Sequence, residues 1–194
     1  MLGFTTKNEV TLASLIYSLW GIVLQKNTNS NDIVFGSTVS GRAGVFNGIE
    51  EMVGLFINTI PLRIRRSPGE TSIELIKAVN SALQNWELYG TTSLPDIKRH
   101  GELDEKTDLF DTIVVFENYP LDQSVLNKKS DIAFNSYSAT EMTNYGLSIS
   151  ISVFKDVEVC FSYNEQLYDS STIKRLAQHF TLITDDVIKT LIKR

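Results

Sequence analysis

Apolar positions near the start of the chain fall at helical spacing: Leu12, Leu15, Ile16, Leu19, Trp20 and Val23 build one broad apolar face. Ahead of them, Thr6-Lys7-Asn8-Glu9 has capping-box form, a hydroxyl followed three residues on by a carboxylate, and places the start of that helix. The polar run Lys26-Asn27-Thr28-Asn29-Ser30-Asn31-Asp32 ends it in a loop. Ile33-Val34-Phe35-Gly36 then predicts a short buried strand. Gly41 to Gly54 carries no regular period and is rich in glycine, the pattern of a functional loop. Residues 56–64 predict a further strand, in which Pro61 implies an edge position or a bulge.

Ser67-Pro68-Gly69-Glu70 predicts a turn and the start of a second helix, which buries Ile73, Ile76, Val79, Leu83 and Trp86. Residues 90–108 are polar and irregular around Leu94 and Ile97. Residues 110–116 predict an apolar strand, residues 121–130 a loop and residues 132–137 a weaker strand. From Tyr145 to Val153 the alternation is clear, with Leu147, Ile149, Ile151 and Val153 on one face and Ser148, Ser150 and Ser152 on the other. Val157 to Tyr163 should pair with it as an antiparallel hairpin through Phe154-Lys155-Asp156. The Asp169-Ser170-Ser171 cluster opens a last helix with Ile173, Leu176, Phe180, Ile183 and Val187 on one stripe. Together these elements predict one α+β domain over residues 1–194, with helices packed on a mixed, largely antiparallel sheet.

Composition narrows the picture. The 194 residues are 42% hydrophobic and 21% charged, as in an ordinary globular protein. No apolar run is long enough to span a bilayer, and no signal peptide opens the chain, so no membrane partner is expected. A net charge of −5 argues against nucleic acid as a partner. The single cysteine, Cys160, excludes an internal disulfide, fits a reducing cytoplasm and is expected to be a small buried apolar residue.

The chemistry-bearing residues are sparse. His100 lies in a polar loop and His179 on the last helix, neither with a visible triad partner. One cysteine and two distant histidines offer no metal site. Residues 36–41, Gly-Ser-Thr-Val-Ser-Gly, lack the Gly-Lys-Ser/Thr ending of a phosphate loop. The carboxylate pairs Glu50-Glu51, Asp104-Glu105 and Asp185-Asp186 have the character of solvated faces. No catalytic residue emerges from the residues alone.

Three ordered segments add a family. Residues 38–42, Thr-Val-Ser-Gly-Arg, residues 48–59, Gly-Ile-Glu-Glu-Met-Val-Gly-Leu-Phe-Ile-Asn-Thr, and residues 109–120, Leu-Phe-Asp-Thr-Ile-Val-Val-Phe-Glu-Asn-Tyr-Pro, resemble the condensation domains of nonribosomal peptide synthetases. The opening helix through Trp20 is similar as well, so the resemblance covers nearly the whole chain. It implies one lobe of a chloramphenicol acetyltransferase-like fold, in which two similar lobes form a V around an active-site tunnel. That family's catalytic motif, His-His-x-x-x-Asp-Gly, belongs to the earlier lobe and does not occur here. The resemblance therefore implies the later, C-terminal lobe, with no catalytic residue of its own and no activity alone.

The resemblance also implies roles for particular residues. Ser40, Gly41 and Arg42 would stand at the entrance of the tunnel-floor loop, and Asn58 and Thr59 on a strand facing the reaction chamber. Glu117 and Asn118 would lie near the segment that crosses to the other lobe. The residues leave Asn58 open between facing the chamber and bonding inside the lobe, and Arg42 between lining the loop and fixing it by a salt bridge. Residues 91–97 match the family more loosely, and the Asn58-Thr59 pair favours a peptide-forming over an epimerisation domain.

Implied partners are peptidyl or acyl carrier proteins, the missing N-terminal lobe and an adenylation domain of the same synthetase. The substrates would ride on the phosphopantetheine arms of those carriers, with no cofactor bound directly. Val45, Phe46 and Ile49 would form an exposed interlobe patch able to pair copies of the chain into a homo-oligomer. A noncatalytic docking module and a related acyltransferase with another acceptor remain as alternative functions.

Overall fold

In the computed structural model, which describes residues 1–42, 47–101, 108–117, 143–153 and 156–192, helices pack against a five-stranded sheet, with the main core on one of its faces. The helices are α1 (Leu2–Asn8), α2 (Leu12–Thr28), α3 (Ser72–Tyr89), α4 (Leu94–His100) and α5 (Ser170–Ile192). The strands are β1 (Asp32–Val39), β2 (Asn58–Arg65), β3 (Thr112–Glu117), β4 (Leu147–Val153) and β5 (Val157–Tyr163). Their order across the sheet is β2-β1-β3-β4-β5. The sheet is mixed: β1 pairs β2 and β4 pairs β5 antiparallel, whereas β1–β3 and β3–β4 run parallel. Antiparallel pairing thus holds at the two flanks and parallel pairing in the middle, because the connections carrying the chain between those central strands are long enough for crossovers.

Three boundaries differ from the sequence expectation, each for a local reason. The Thr6…Glu9 box is not the cap of the long helix. Glu9 closes α1 in the left-handed region at φ 56°, and Thr11 caps α2 by accepting from the Ser14 amide. The second helix starts at Ser72, with Pro68 and Gly69 left in the turn before it. Thr71 and Glu74 form a reciprocal capping box, in which the Thr71 hydroxyl accepts from the Glu74 amide and the Glu74 carboxylate accepts from the Thr71 amide at 2.8 Å. Within the polar stretch 90–108 lies α4. Ser93 caps it, Pro95 occupies its first turn, and Lys98, Arg99 and His100 meet the negative end of its dipole. The weaker strand at 132–137, the loop at 121–130, the Asp104-Glu105 pair and the Phe154-Lys155 turn lie outside the described residues.

Strand parity sorts the sheet into two unlike faces. Ile33, Phe35, Leu62, Ile64, Val114, Leu147, Ile149 and Ile151 face the helices and join Leu15, Ile16, Leu19, Trp20, Leu75, Ile76 and Phe180 in one core. The opposite face carries Thr38, Thr59, Glu117, Ser148, Ser150, Ser152 and Cys160 in register. Cys160 is exposed, contrary to expectation. It stands on the open side of an edge strand, while Val159 and Phe161 on either side of it turn inward to the core. Pro61 does sit on an edge strand, opposite Gly36.

One polar pair lies within the core. The Tyr17 hydroxyl and Ser37 Oγ are 2.5 Å apart, and the Tyr17 ring packs among Phe35, Trp86 and Phe116. Burial pushes the Tyr17 phenol from 10.0 up to about 12, against a smaller pull downward from Ser37. A folded-state value above the unfolded one means that folding favours the neutral phenol. Its contribution is present below the unfolded value near 10.0 and lost as pH rises toward about 12. Alkaline denaturation followed by circular dichroism should therefore show about 2–3 kcal/mol lost over that window. Tyr17→Phe should flatten that part of the profile.

Candidate functional site

Strands β1, β3 and β4 are parallel, so their carboxyl ends gather at one edge of the sheet, where ligand crevices form in open sheets with parallel centres. On the open face at that edge lies a cavity of ≈ 390 Å³. Thr38 and Ser40 come to it from the end of β1, Thr59 from the start of β2, and Val115 and Glu117 from the end of β3. Thr143 and Tyr145 complete it from the segment before β4. Register explains the convergence, since Thr38 stands opposite Thr59 across the β1–β2 pair and Glu117 opposite Ser152 across β3–β4.

Two polar groups of this cavity are held by serines of β4. Ser152 Oγ donates to Glu117 Oε2 at 2.7 Å. Thr143 Oγ1 and Ser148 Oγ share a hydrogen bond at 2.5 Å, and the Tyr145 amide donates to Thr143 Oγ1 at 3.3 Å. Burial holds the Tyr145 phenol above its ordinary value, partly offset by a side-chain hydrogen bond with Thr59. The Tyr145 ring stacks on Phe110 at 5.4 Å and an interplanar angle of 29°. Phe110 in turn lies over Gly36, where a Cβ would run into its ring, so the absence of a side chain in mid-strand makes room for that wall.

Of the residues expected at the site, Ser40, Thr59 and Glu117 come together in this cavity, Gly41 lines a neighbouring hollow, and Arg42 and Asn58 line neither. Gly41 has φ +64°, and a Cβ there would also drive into the Phe56 carbonyl oxygen, so both conformation and space require glycine. Arg42 fixes the loop, and among the described residues it does so through carbonyls and a ring rather than a salt bridge. Its Nη1 donates to Ile49 O at 2.6 Å and Met52 O at 2.9 Å, and its guanidinium lies 4.3 Å from the centre of the Phe56 ring. Ile49 O also accepts from the Met52 amide at 3.3 Å, which closes the short 3-10 turn Ile49–Glu51, so the planar cation ties the first carbonyl of that turn to the one just after it.

Asn58 is committed to the fold. Its Nδ2 donates to Gly90 O at 2.8 Å and Thr92 O at 2.9 Å, and its Oδ1 accepts from the Thr59 amide at 2.9 Å. It thereby ties the exit of α3 to the start of β2. Asn118 lies outside the described residues, as do Val45 and Phe46. Ile49 is buried rather than exposed, because the Arg42 staple folds the 3-10 turn inward. The exposed apolar surface stands just after it, at Met52, Val53, Leu55 and Ile57, with Val53 and Leu55 at 103% and 105% of full exposure.

Sequence reasoning missed Thr143 and Tyr145, which no motif marks, and missed α4. The latter was announced by Ser93 followed three residues on by Asp96 and by the cationic end of the segment. Among the described residues the cavity offers hydroxyls and one carboxylate beside an apolar lining of Val39, Ile57, Ile113, Val115 and Phe116, suited to a chain with both polar and apolar groups. Neither His100, His179 nor Cys160 lines it. Among the described residues no three His, Cys, Asp or Glu side chains gather to hold a metal ion, and no helix is long and apolar enough to cross a membrane.

With the geometry in place, the comparisons converge. The family model described as Condensation domain matches residues 1–193. Bacitracin synthase 3 of Bacillus licheniformis is 36% identical over 189 residues, covering 96% of this chain and 3% of the relative. Tyrocidine synthase 2 of Brevibacillus parabrevis is 37% identical over 186 residues, covering 94% and 5% respectively. The chain therefore spans only a small part of the curated relatives it matches. Among solved structures, a holo four-domain nonribosomal peptide synthetase bound to AMP and glycine has a TM-score of 0.83 at 14% identity, covering 97% of this chain and 15% of that one. The first condensation domain of the calcium-dependent antibiotic synthetase, in complex with a substrate analogue, has a TM-score of 0.74 at 18% identity, covering 95% and 40%.

Proposed function

This chain belongs to the condensation-domain family, and on that premise we propose that it is the C-terminal lobe of a domain joining aminoacyl or peptidyl groups by a peptide bond. The substrates are thioesters on the phosphopantetheine arms of carrier proteins, within a synthetase that also carries an adenylation domain. The lobe supplies tunnel floor and crossover segment: Ser40, Gly41 and Arg42 at the floor-loop entrance, Thr59 facing the chamber with Asn58 behind it, and Glu117 with Asn118 toward the crossover. The observation that carries this reading is the pairing of two features on one side of the molecule. A hydroxyl-lined cavity without histidine or thiol opens there, and an apolar strip from Met52 to Ile57 stands in solvent, as a surface shaped to be covered does.

The lobe has no condensation activity alone, because the His-His-x-x-x-Asp-Gly motif does not occur in its sequence. The test mixes the purified chain with a separately expressed polypeptide carrying that motif and with donor and acceptor carrier proteins loaded with amino acids. Mass spectrometry should find no peptide bond with the chain alone and a dipeptidyl thioester when both lobes are present. Product from the chain alone overturns the proposal. Saturable carrier binding without product from the pair would make the chain a docking module, and an ester product would make it an acyltransferase with another acceptor.

A further inference from the structure

A second cavity, of ≈ 350 Å³, lies on the other side of Tyr145. Its floor is apolar, made by Leu94 and Pro95 of α4 and by Leu109, Phe110 and the Tyr145 ring. Its polar rim holds Lys98, Arg99 and Asp108. The two cations differ in how they are used. Arg99 is largely exposed and turned to Asp96 of its own helix at 2.9 Å. Lys98 is only 19% exposed, and its Nζ has one partner among the described residues, Asp108 Oδ1 at the long distance of 3.5 Å.

An ammonium has three donors, and taking one largely out of water without filling them is costly. Among the described residues, the geometry of Lys98 is therefore that of a cation with donor capacity left toward the cavity. A volume of this size is at the lower end for small-ligand pockets and fits one ring or a short alkyl chain with a head group. The carboxylate of Asp108 is 89% exposed and stays mostly in water, so it leaves the inner side of Lys98 to a guest.

We propose that this cavity is a binding site for a small carboxylate with an aromatic or alkyl tail, its carboxylate on Lys98 and its tail stacked in the Leu94, Pro95, Phe110 and Tyr145 floor. Tyr145 is the wall that separates this guest from the first cavity. The site needs no acyl transfer, carrier protein or second lobe.

The experiment is a titration of the isotope-labelled chain, followed by amide NMR, with 4-phenylbutyrate and with its neutral amide, 4-phenylbutyramide. The acid should saturate, shift amides in Leu94–Arg99 and at Leu109 and Phe110, and bind at least about fivefold more tightly than the amide through its charge-assisted hydrogen bond. Lys98→Met should erase that preference while leaving amide binding in place. Tyr145→Ala should spread the shifts to Thr59 and Glu117. Absence of saturation, equal affinity for acid and amide in the unchanged chain, or shifts confined to Met52–Ile57 would each overturn the proposal. If Lys98→Met fails to fold, the acid-to-amide ratio of the unchanged chain decides. No outcome of this titration bears on the two-lobe reconstitution, and the reverse is equally true.

Discussion

Trp20→Ala is expected to lower the unfolding free energy by about 3–5 kcal/mol, the usual range for emptying a fully buried large aromatic site. A domain of ordinary stability has only ~5–15 kcal/mol in total, so the variant should melt far earlier and populate unfolded chain at moderate temperature. The site explains the size of the effect. Trp20 has 0% exposure and lies edge-on to Phe161 of β5 at 6.0 Å, and Phe161 meets Phe180 of α5 in the same way at 6.3 Å. Removing the indole therefore loosens a helix, a strand and a second helix together. Trp20→Phe should cost markedly less, under about 2 kcal/mol, because a ring still fills much of the space. It also removes an indole N–H that has no hydrogen-bond partner among the described residues. Chemical denaturation of the three proteins measures both differences, and equal costs for the two variants would overturn the packing account.

Asn58→Ala is expected to cost about 2–3 kcal/mol, since it strands the Gly90 and Thr92 carbonyls and the Thr59 amide at once. Asn58→Asp should do at least as much damage at neutral pH, although it keeps the shape. A carboxylate can still accept from the Thr59 amide, but it faces two carbonyl oxygens where the amide donated. Denaturation midpoints separate this from a role in the reaction chamber. A chamber residue would leave stability unchanged in both variants and alter only the yield of the two-lobe reconstitution. A loss of stability as large as expected places Asn58 among the groups that hold the site together, with Thr59 beside it as the side chain that lines the cavity.

Much of the fold was legible because burial imposes period. The alternation from Leu147 to Val153 gave β4, its facing and its partner, since Leu147, Ile149 and Ile151 are core members and each serine points outward, whereas Val153 at the strand's end is exposed. The stripe Ile173, Leu176, Phe180 and Val187 likewise gave α5. What failed was whatever depended on choosing between neighbouring polar residues. Thr6, Thr11 and Thr71 are all competent caps, and only packing decides that Thr11 and Thr71 serve. The short helix α4 buries none of its residues fully, so it left no apolar period to find. Parallel pairing of β1 with β3 joins residues more than seventy positions apart and leaves no local trace.

The candidate site was legible in part. Ser40, Thr59 and Glu117 were expected there only through the resemblance of their segments to a family, and the structure sets all three at strand ends on one cavity. Tyr145 sits in an irregular segment and reaches the cavity only through its stack on Phe110, which in turn depends on the bare backbone at Gly36. No one-dimensional pattern encodes that three-body arrangement. Cys160 was misplaced because strand composition cannot tell which side of an edge strand is left uncovered.

The join between β1 and β3 is short, Gly36 opposite Ile113 and Ser37 opposite Val114, whereas β1–β2 and β3–β4 are paired along their length. The sheet is thus two fully paired parts joined along a short ladder, and the site cavity straddles that join, with Thr38, Ser40 and Thr59 on one part and Val115 and Glu117 on the other. Helix α2 is the keel beneath both, touching the first part through Tyr17 on Phe35 and the second through Tyr17 on Phe116 and Trp20 on Phe161. The width of the cleft is thus governed from the opposite side of the sheet. A substitution on the keel that never contacts a guest would change how thick a guest the cleft accepts.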